Sequence, residues 1–196
     1  MRRSVLFSTA LFVLGLVGAG LASGAAVAAP TLDRIKATGV ITFGYRDNAV
    51  PFAYKDREGR VRGYSVELCT RVAGSIQKEL GLSELRIEWL PVEASNRLDY
   101  VVDGKVDAVC GTTTITLSRM TKVDFSLPIY VDGGSVLVRA KSKLARLADL
   151  KDKRIAVISG TTTEEELGRG MNAIGAAAVL VPVKNGAEGM AMLKSR

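Results

Sequence analysis

The feature that most constrains this chain is an alternation of short apolar runs and helical patterns that begins, completes a unit and then restarts. Residues 40–45 alternate as a strand, a loop follows through residues 48–51, and residues 55–63 form a polar hairpin with Glu58-Gly59 at its turn. Val66, Leu68, Cys69, Val72, Ala73, Ile76 and Leu80 then recur at helical spacing, with Ser65 placed to cap the helix and Gly81 to stop it. Residues 86–92 read as a second strand, 96–102 as a short helix and 106–110 as a third strand. That order is βαβαβ, which predicts a parallel sheet with helices on its faces.

The order then starts again. Residues 136–139 read as a strand leaving the first unit, residues 154–159 as a strand, Gly160-Thr161-Thr162-Thr163 as the cap of a helix from Glu164, residues 179–183 as a strand and residues 187–194 as a helix. The fold class expected is α/β in two units, residues 30–135 and 136–196. The second has no counterpart of the strand at 106–110, which would leave ladder groups and apolar helix faces uncovered, so a shortened chain is expected. Such a chain should bind ligand weakly and be less stable than an extended form.

Between the units runs Cys110-Gly111-Thr112-Thr113-Thr114-Ile115-Thr116-Leu117-Ser118-Arg119. A glycine, consecutive hydroxyls and an arginine after a strand put three kinds of donor where a small anion can be cradled. The same pattern also suits a Thr-capped helix with a surface arginine, and spacing alone leaves both readings open.

Composition narrows the chemistry. The chain has no histidine, which removes Ser-His-Asp and Cys-His catalysis and any His-containing zinc site, and two cysteines alone cannot complete a tetrahedral one. No phosphate loop or dinucleotide fingerprint sits on a strand-to-helix turn, so neither a cofactor nor a metal is expected.

Arg2 and Arg3 precede an apolar stretch to about Ala22, and Ala26-Val27-Ala28-Ala29 offers small residues for cleavage, so residues 1–29 read as a removable signal peptide and the mature chain as exported. Of 27 basic and 20 acidic residues, removing Arg2 and Arg3 leaves 25 against 20, an excess of +5 without a long basic run. That argues against a nucleic-acid partner. In an oxidising compartment Cys69 and Cys110 are free to pair, although two buried thiols would suit their apolar surroundings as well. Cys69 lies in the first turns of its helix near the end of the first strand, and Cys110 ends the neighbouring third strand, so a disulfide is the expectation.

Five segments, taken together, resemble the extracellular solute-binding proteins of family 3, the periplasmic amino-acid receptors of ABC importers, and within them the glutamate/aspartate-binding branch. They are Gly44-Tyr45-Arg46-Asp47 with Val50-Pro51-Phe52, Gly63-Tyr64-Ser65-Val66-Glu67-Leu68, Ser95-Asn96-Arg97, the stretch from Cys110 to Ser126, and Ser159-Gly160-Thr161-Thr162. The resemblance implies a two-lobe periplasmic-binding-protein type II architecture that closes on a free amino acid, a membrane permease as partner and a monomeric receptor in the periplasm. It implies that Arg119 takes the ligand's α-carboxylate, that Thr112 and Thr114 add hydrogen bonds, that Thr162 adds a donor from the second lobe, and that Arg46 and Arg97 hold the side-chain carboxylate. Phe52 and Tyr64 are candidates for the cleft wall or the core.

Two positions depart from the branch. Ala94 stands where a hydroxyl is usual and Asn185 where a histidine is usual. The same fold also carries enzymes, so a cyclohexadienyl dehydratase-like lyase with Glu67 or Asp107 as acid or base is the alternative.

Overall fold

The computed structural model describes residues 31–195, and the signal peptide expected over residues 1–29 lies outside them. The strand β1 (Val40–Tyr45) lies between β5 (Arg86–Pro91) and β6 (Ala108–Cys110), both parallel to it, in register from Val40 opposite Arg86 to Tyr45 opposite Pro91 and Cys110. Ile41, Phe43 and Tyr45 alternate into the core, as period 2 requires. Ile35 of α1 (Thr31–Thr38), Ile41, Phe43, Ala73 of α2 (Tyr64–Glu79) and Cys110 form the main cluster, with Ile76, Leu80 and Trp89 packed against it. Helix α1 was not foreseen. Its eight residues bury one apolar side chain, too little for a period to show.

The expected hairpin is smaller and belongs to a three-stranded antiparallel meander, β2 (Asn48–Ala49), β3 (Ala53–Lys55) and β4 (Val61–Arg62). Helix α2 starts two residues earlier than expected, and Ser65 does not cap it: Gly63 holds the cap position, and the buried Ser65 hydroxyl donates to the Gly111 carbonyl at 3.0 Å. Ser65 therefore ties α2 to the loop after β6. The third strand is shorter than expected, the Val106 amide donating back to the Tyr100 carbonyl at 3.2 Å, while the Asp107 carboxylate accepts from the Thr42 amide at 2.8 Å and pairs with Arg34 of α1. Cys69 and Cys110 are disulfide-bonded with α-carbons 6.2 Å apart, joining α2 to the end of β6.

The second unit packs α5 (Thr162–Ala173) and α6 (Gly186–Lys194), with α3 (Arg97–Val102) and α4 (Leu117–Met120) belonging to the first. Its sheet pairs β7 (Arg154–Ile158) with β8 (Val179–Val183) in parallel, over a cluster of Leu150, Ile155, Val157, Met171 and Ala176. Residues 136–139, expected as a strand, join no ladder among the described residues. An alternating apolar pattern makes a strand only against a neighbouring edge. Here the Arg139 guanidinium instead donates to the Leu193 carbonyl in the last turn of α6, at 2.9 and 2.6 Å. No helix among the described residues is long and apolar enough to cross a membrane.

Candidate functional site

The parallel sheet of the first unit sends three chain segments out of the carboxyl ends of its strands, and each carries an arginine inward. Arg46 directly follows β1, Arg97 opens α3 after β5, and Arg119 lies in α4 after β6. They are 9 %, 4 % and 8 % exposed, and among the described residues no other charged side chain is as deeply buried. Arginine is mostly a surface residue, so three buried together need a cause.

Arg97 is held on several sides. Its Nε donates to the Thr113 hydroxyl at 2.7 Å, one terminal nitrogen donates to the Ala94 carbonyl, and the other reaches the Gly160 carbonyl of the second unit at 3.4 Å. Arg119 donates to the Thr114 carbonyl at 2.8 Å and to the same Gly160 carbonyl at 3.3 Å. The α4 cap is Thr116, whose hydroxyl accepts from the Arg119 amide at 3.2 Å. The run therefore does hold a Thr-capped helix, but its arginine is buried rather than on the surface, and the hydroxyls of Thr112, Thr113 and Thr114 take no part in the cap. Thr112 is exposed. Thr114 and Thr162 meet hydroxyl to hydroxyl at 3.1 Å, Thr162 being the first residue of α5.

The electrostatics follow from this crowding. Burial, then the charges of Arg119 and Arg46, lower the Arg97 pKa to about 10. Burial lowers that of Arg46 too, opposed by Glu93 and Asp47. None of the three arginines forms an ion pair among the described residues. Buried cations that repel one another and close no ion pair favour an anion beside them.

Phe52 stacks edge-on with Tyr64 and Tyr130, at centroid distances of 6.1 and 4.9 Å. With Val50, Pro51 and Asp132 they line an open cavity of about 700 Å³. Phe52 and Tyr64 thus take the wall position rather than the core.

Three residues that matter here had no separate signal in the sequence. Thr113 orients Arg97, and the Ala94 and Gly160 carbonyls satisfy guanidinium donors, a role that only the backbone path assigns. The two unusual positions have local explanations. Ala94 is buried and offers its carbonyl, while Asn185 caps α6 by accepting from the Glu188 amide at 3.0 Å. The carboxylates considered as acid or base are occupied elsewhere: Asp107 by Thr42 and Arg34, and Glu67 by Arg71 on the exposed face of α2.

The model of a protein family described as bacterial extracellular solute-binding proteins, family 3, matches residues 41–190. A glutamate/aspartate import solute-binding protein of Salmonella typhimurium is 37 % identical over 179 residues, 86 % of this chain and 59 % of that protein. An L-glutamate/L-aspartate-binding protein of Pseudomonas aeruginosa is 40 % identical over 144 residues, 73 % of this chain and 47 % of that one. The chain thus spans about half the length of these curated relatives. Among solved structures, an ancestral amino acid-binding protein described as a precursor of cyclohexadienyl dehydratase superposes with a TM-score of 0.74 at 31 % identity, covering 85 % of this chain and 70 % of that one.

Proposed function

The chain belongs to the bacterial extracellular solute-binding proteins, family 3, and from that premise we propose that it is the substrate-binding receptor of an amino-acid ABC importer, capturing an acidic amino acid between two lobes. The observation that carries this reading is the set of three buried arginines without a carboxylate partner among the described residues. Glutamate and aspartate each bring two carboxylates, and a guanidinium meets a carboxylate with two parallel N–H donors. Arg119 takes the α-carboxylate, with Thr112 and Thr114 beside it. Arg46 and Arg97 take the side-chain carboxylate, and Thr162 adds a hydrogen bond from the second lobe.

Ligand charge then removes the repulsion among the three guanidiniums, and the two lobes close over it as a hinged clamp. The loaded receptor, a monomer in the periplasm, presents its ligand to a membrane permease. Turnover has no support from Asp107, which pairs with Arg34 of α1, or from Glu67, which pairs with Arg71 on the exposed face of α2. Calorimetric titration with L-glutamate, L-aspartate and L-arginine tests the reading. Saturable heat with the two dicarboxylates and none with L-arginine is expected, and the opposite preference would reject it.

A further inference from the structure

A residue without a side chain makes a close approach between the two units. Gly160 follows β7 with φ of +73°, and a Cβ built on it would lie 2.8 Å from the Ser95 α-carbon, 3.0 Å from the Ala94 carbonyl oxygen and 3.2 Å from the Ser95 amide nitrogen. All three are backbone atoms of the first unit, so no change of rotamer relieves the overlap. That backbone is itself fixed, because Ala94 is buried and its carbonyl accepts from Arg97. On the other side Gly160 is held by its amide, which donates to the Glu164 carboxylate at 3.0 Å. Its carbonyl is the shared acceptor of Arg97 and Arg119.

We infer that Gly160 sets how far the clamp closes: with hydrogen alone at its α-carbon, the second lobe seats its carbonyl between the Arg97 and Arg119 guanidiniums and brings the Thr162 hydroxyl onto Thr114. The inference rests on the clamp reading above and adds a positioning residue to it. A carbonyl dipole pointed at two mutually repelling cations offsets part of their repulsion in the closed arrangement. It leaves donors on both guanidiniums for a ligand, since each has five N–H groups. Any side chain at position 160 holds the lobes apart, removes that acceptor and separates Thr162 from Thr114, without touching the ligand itself.

The test separates closure from backbone strain. Gly175 has φ of +62° and a Cβ there would meet nothing within 4 Å, so Gly175→Ala carries the same left-handed penalty as Gly160→Ala with no cross-lobe contact. Closure is read without ligand from the rate at which a Thr114→Cys, Thr162→Cys pair crosslinks, their hydroxyls being 3.1 Å apart in the parent chain. We expect Gly160→Ala to slow crosslinking and weaken L-glutamate binding by about tenfold or more, and Gly175→Ala to change either by less than about twofold. Equal crosslinking rates in the two variants overturn the inference. If Gly160→Ala proves misfolded by circular dichroism, Gly160→Asn replaces it, since Asn tolerates positive φ and carries the same Cβ. Absence of glutamate heat in the parent chain, with the crosslinking difference intact, would reject the acidic ligand and leave Gly160 in its role.

Discussion

The two units of this protein contribute opposite things to one site. The first has a three-stranded parallel sheet stapled by Cys69–Cys110 and holds all three buried arginines. The second has a two-stranded sheet and, among the described residues, brings to the same place an uncharged carbonyl at Gly160 and a hydroxyl at Thr162. The buried charge thus sits on the disulfide-bonded half, and the other half presents uncharged groups, which cost less to desolvate. The difference teaches that on the proposed reading the first unit supplies the charge that attracts a ligand, while the second supplies neutral groups that meet the same arginines.

The largest effect should come from the staple. Replacing both Cys69 and Cys110 by Ser should destabilise the protein by about 4 kcal/mol on the chain-entropy account of a loop of this size, while the local fold of the second unit keeps its own cluster. Denaturant unfolding followed by hydrogen exchange checks it: equal loss of protection in β1 and β7 would break the comparison.

Next is the charge itself. Arg119→Ala should weaken L-glutamate binding by about 3 kcal/mol, since a desolvated carboxylate loses its fork. Arg46→Lys should cost less, because the charge stays and only the geometry goes. Calorimetry ranks the two, and identical losses would show that the fork is irrelevant.

Arg97 sharpens the point because its charge opposes the ligand-free fold. Burial and the neighbouring guanidiniums lower its native pKa to about 10, below the ordinary value of a guanidinium. The native state therefore releases this proton first, and between those values the unfolded state binds more protons, so stability attributable to Arg97 rises with pH. Below about pH 10 the full penalty of the buried charge is present. Arg97→Met should accordingly raise ligand-free stability by about 1 kcal/mol at neutral pH while abolishing binding, and its advantage over the parent should shrink as pH passes 10. Thermal melts from pH 7 to about 11 measure this; an advantage that widens with pH would contradict the assignment.

Much of this was legible in the residues, and the failures have physical causes. Arg46, Arg97 and Arg119 stand at the carboxyl ends of three strands whose alternation is plain, and strand ends of a parallel sheet converge. The disulfide followed from the same topology. What escaped depends on the path of the backbone rather than on residue type. Ser65 has the chemistry of a cap yet reaches across to Gly111, and residues 136–139 have a strand's pattern without a ladder. Gly160 looks like an ordinary turn glycine until the Ala94–Ser95 backbone is seen against it.

The smallest expected effect belongs to the second unit's side chain. Thr162→Ala removes one exposed hydroxyl contact and should cost about 0.5–1 kcal/mol of ligand affinity, with no change in ligand-free stability. A loss as large as that of Arg119→Ala would place the second unit on equal terms and dissolve the division of labour.

The central claim, that three arginines of the first unit hold an acidic ligand, is tested most directly by following the arginine Nε–H resonances by NMR while L-glutamate is added to millimolar concentration. The account predicts that the Arg46, Arg97 and Arg119 signals shift together and saturate at one common concentration, and that Arg119→Ala abolishes the shifts of the other two in that range. Shifts confined to exposed arginines such as Arg60 and Arg71, with the buried three unmoved, would contradict it.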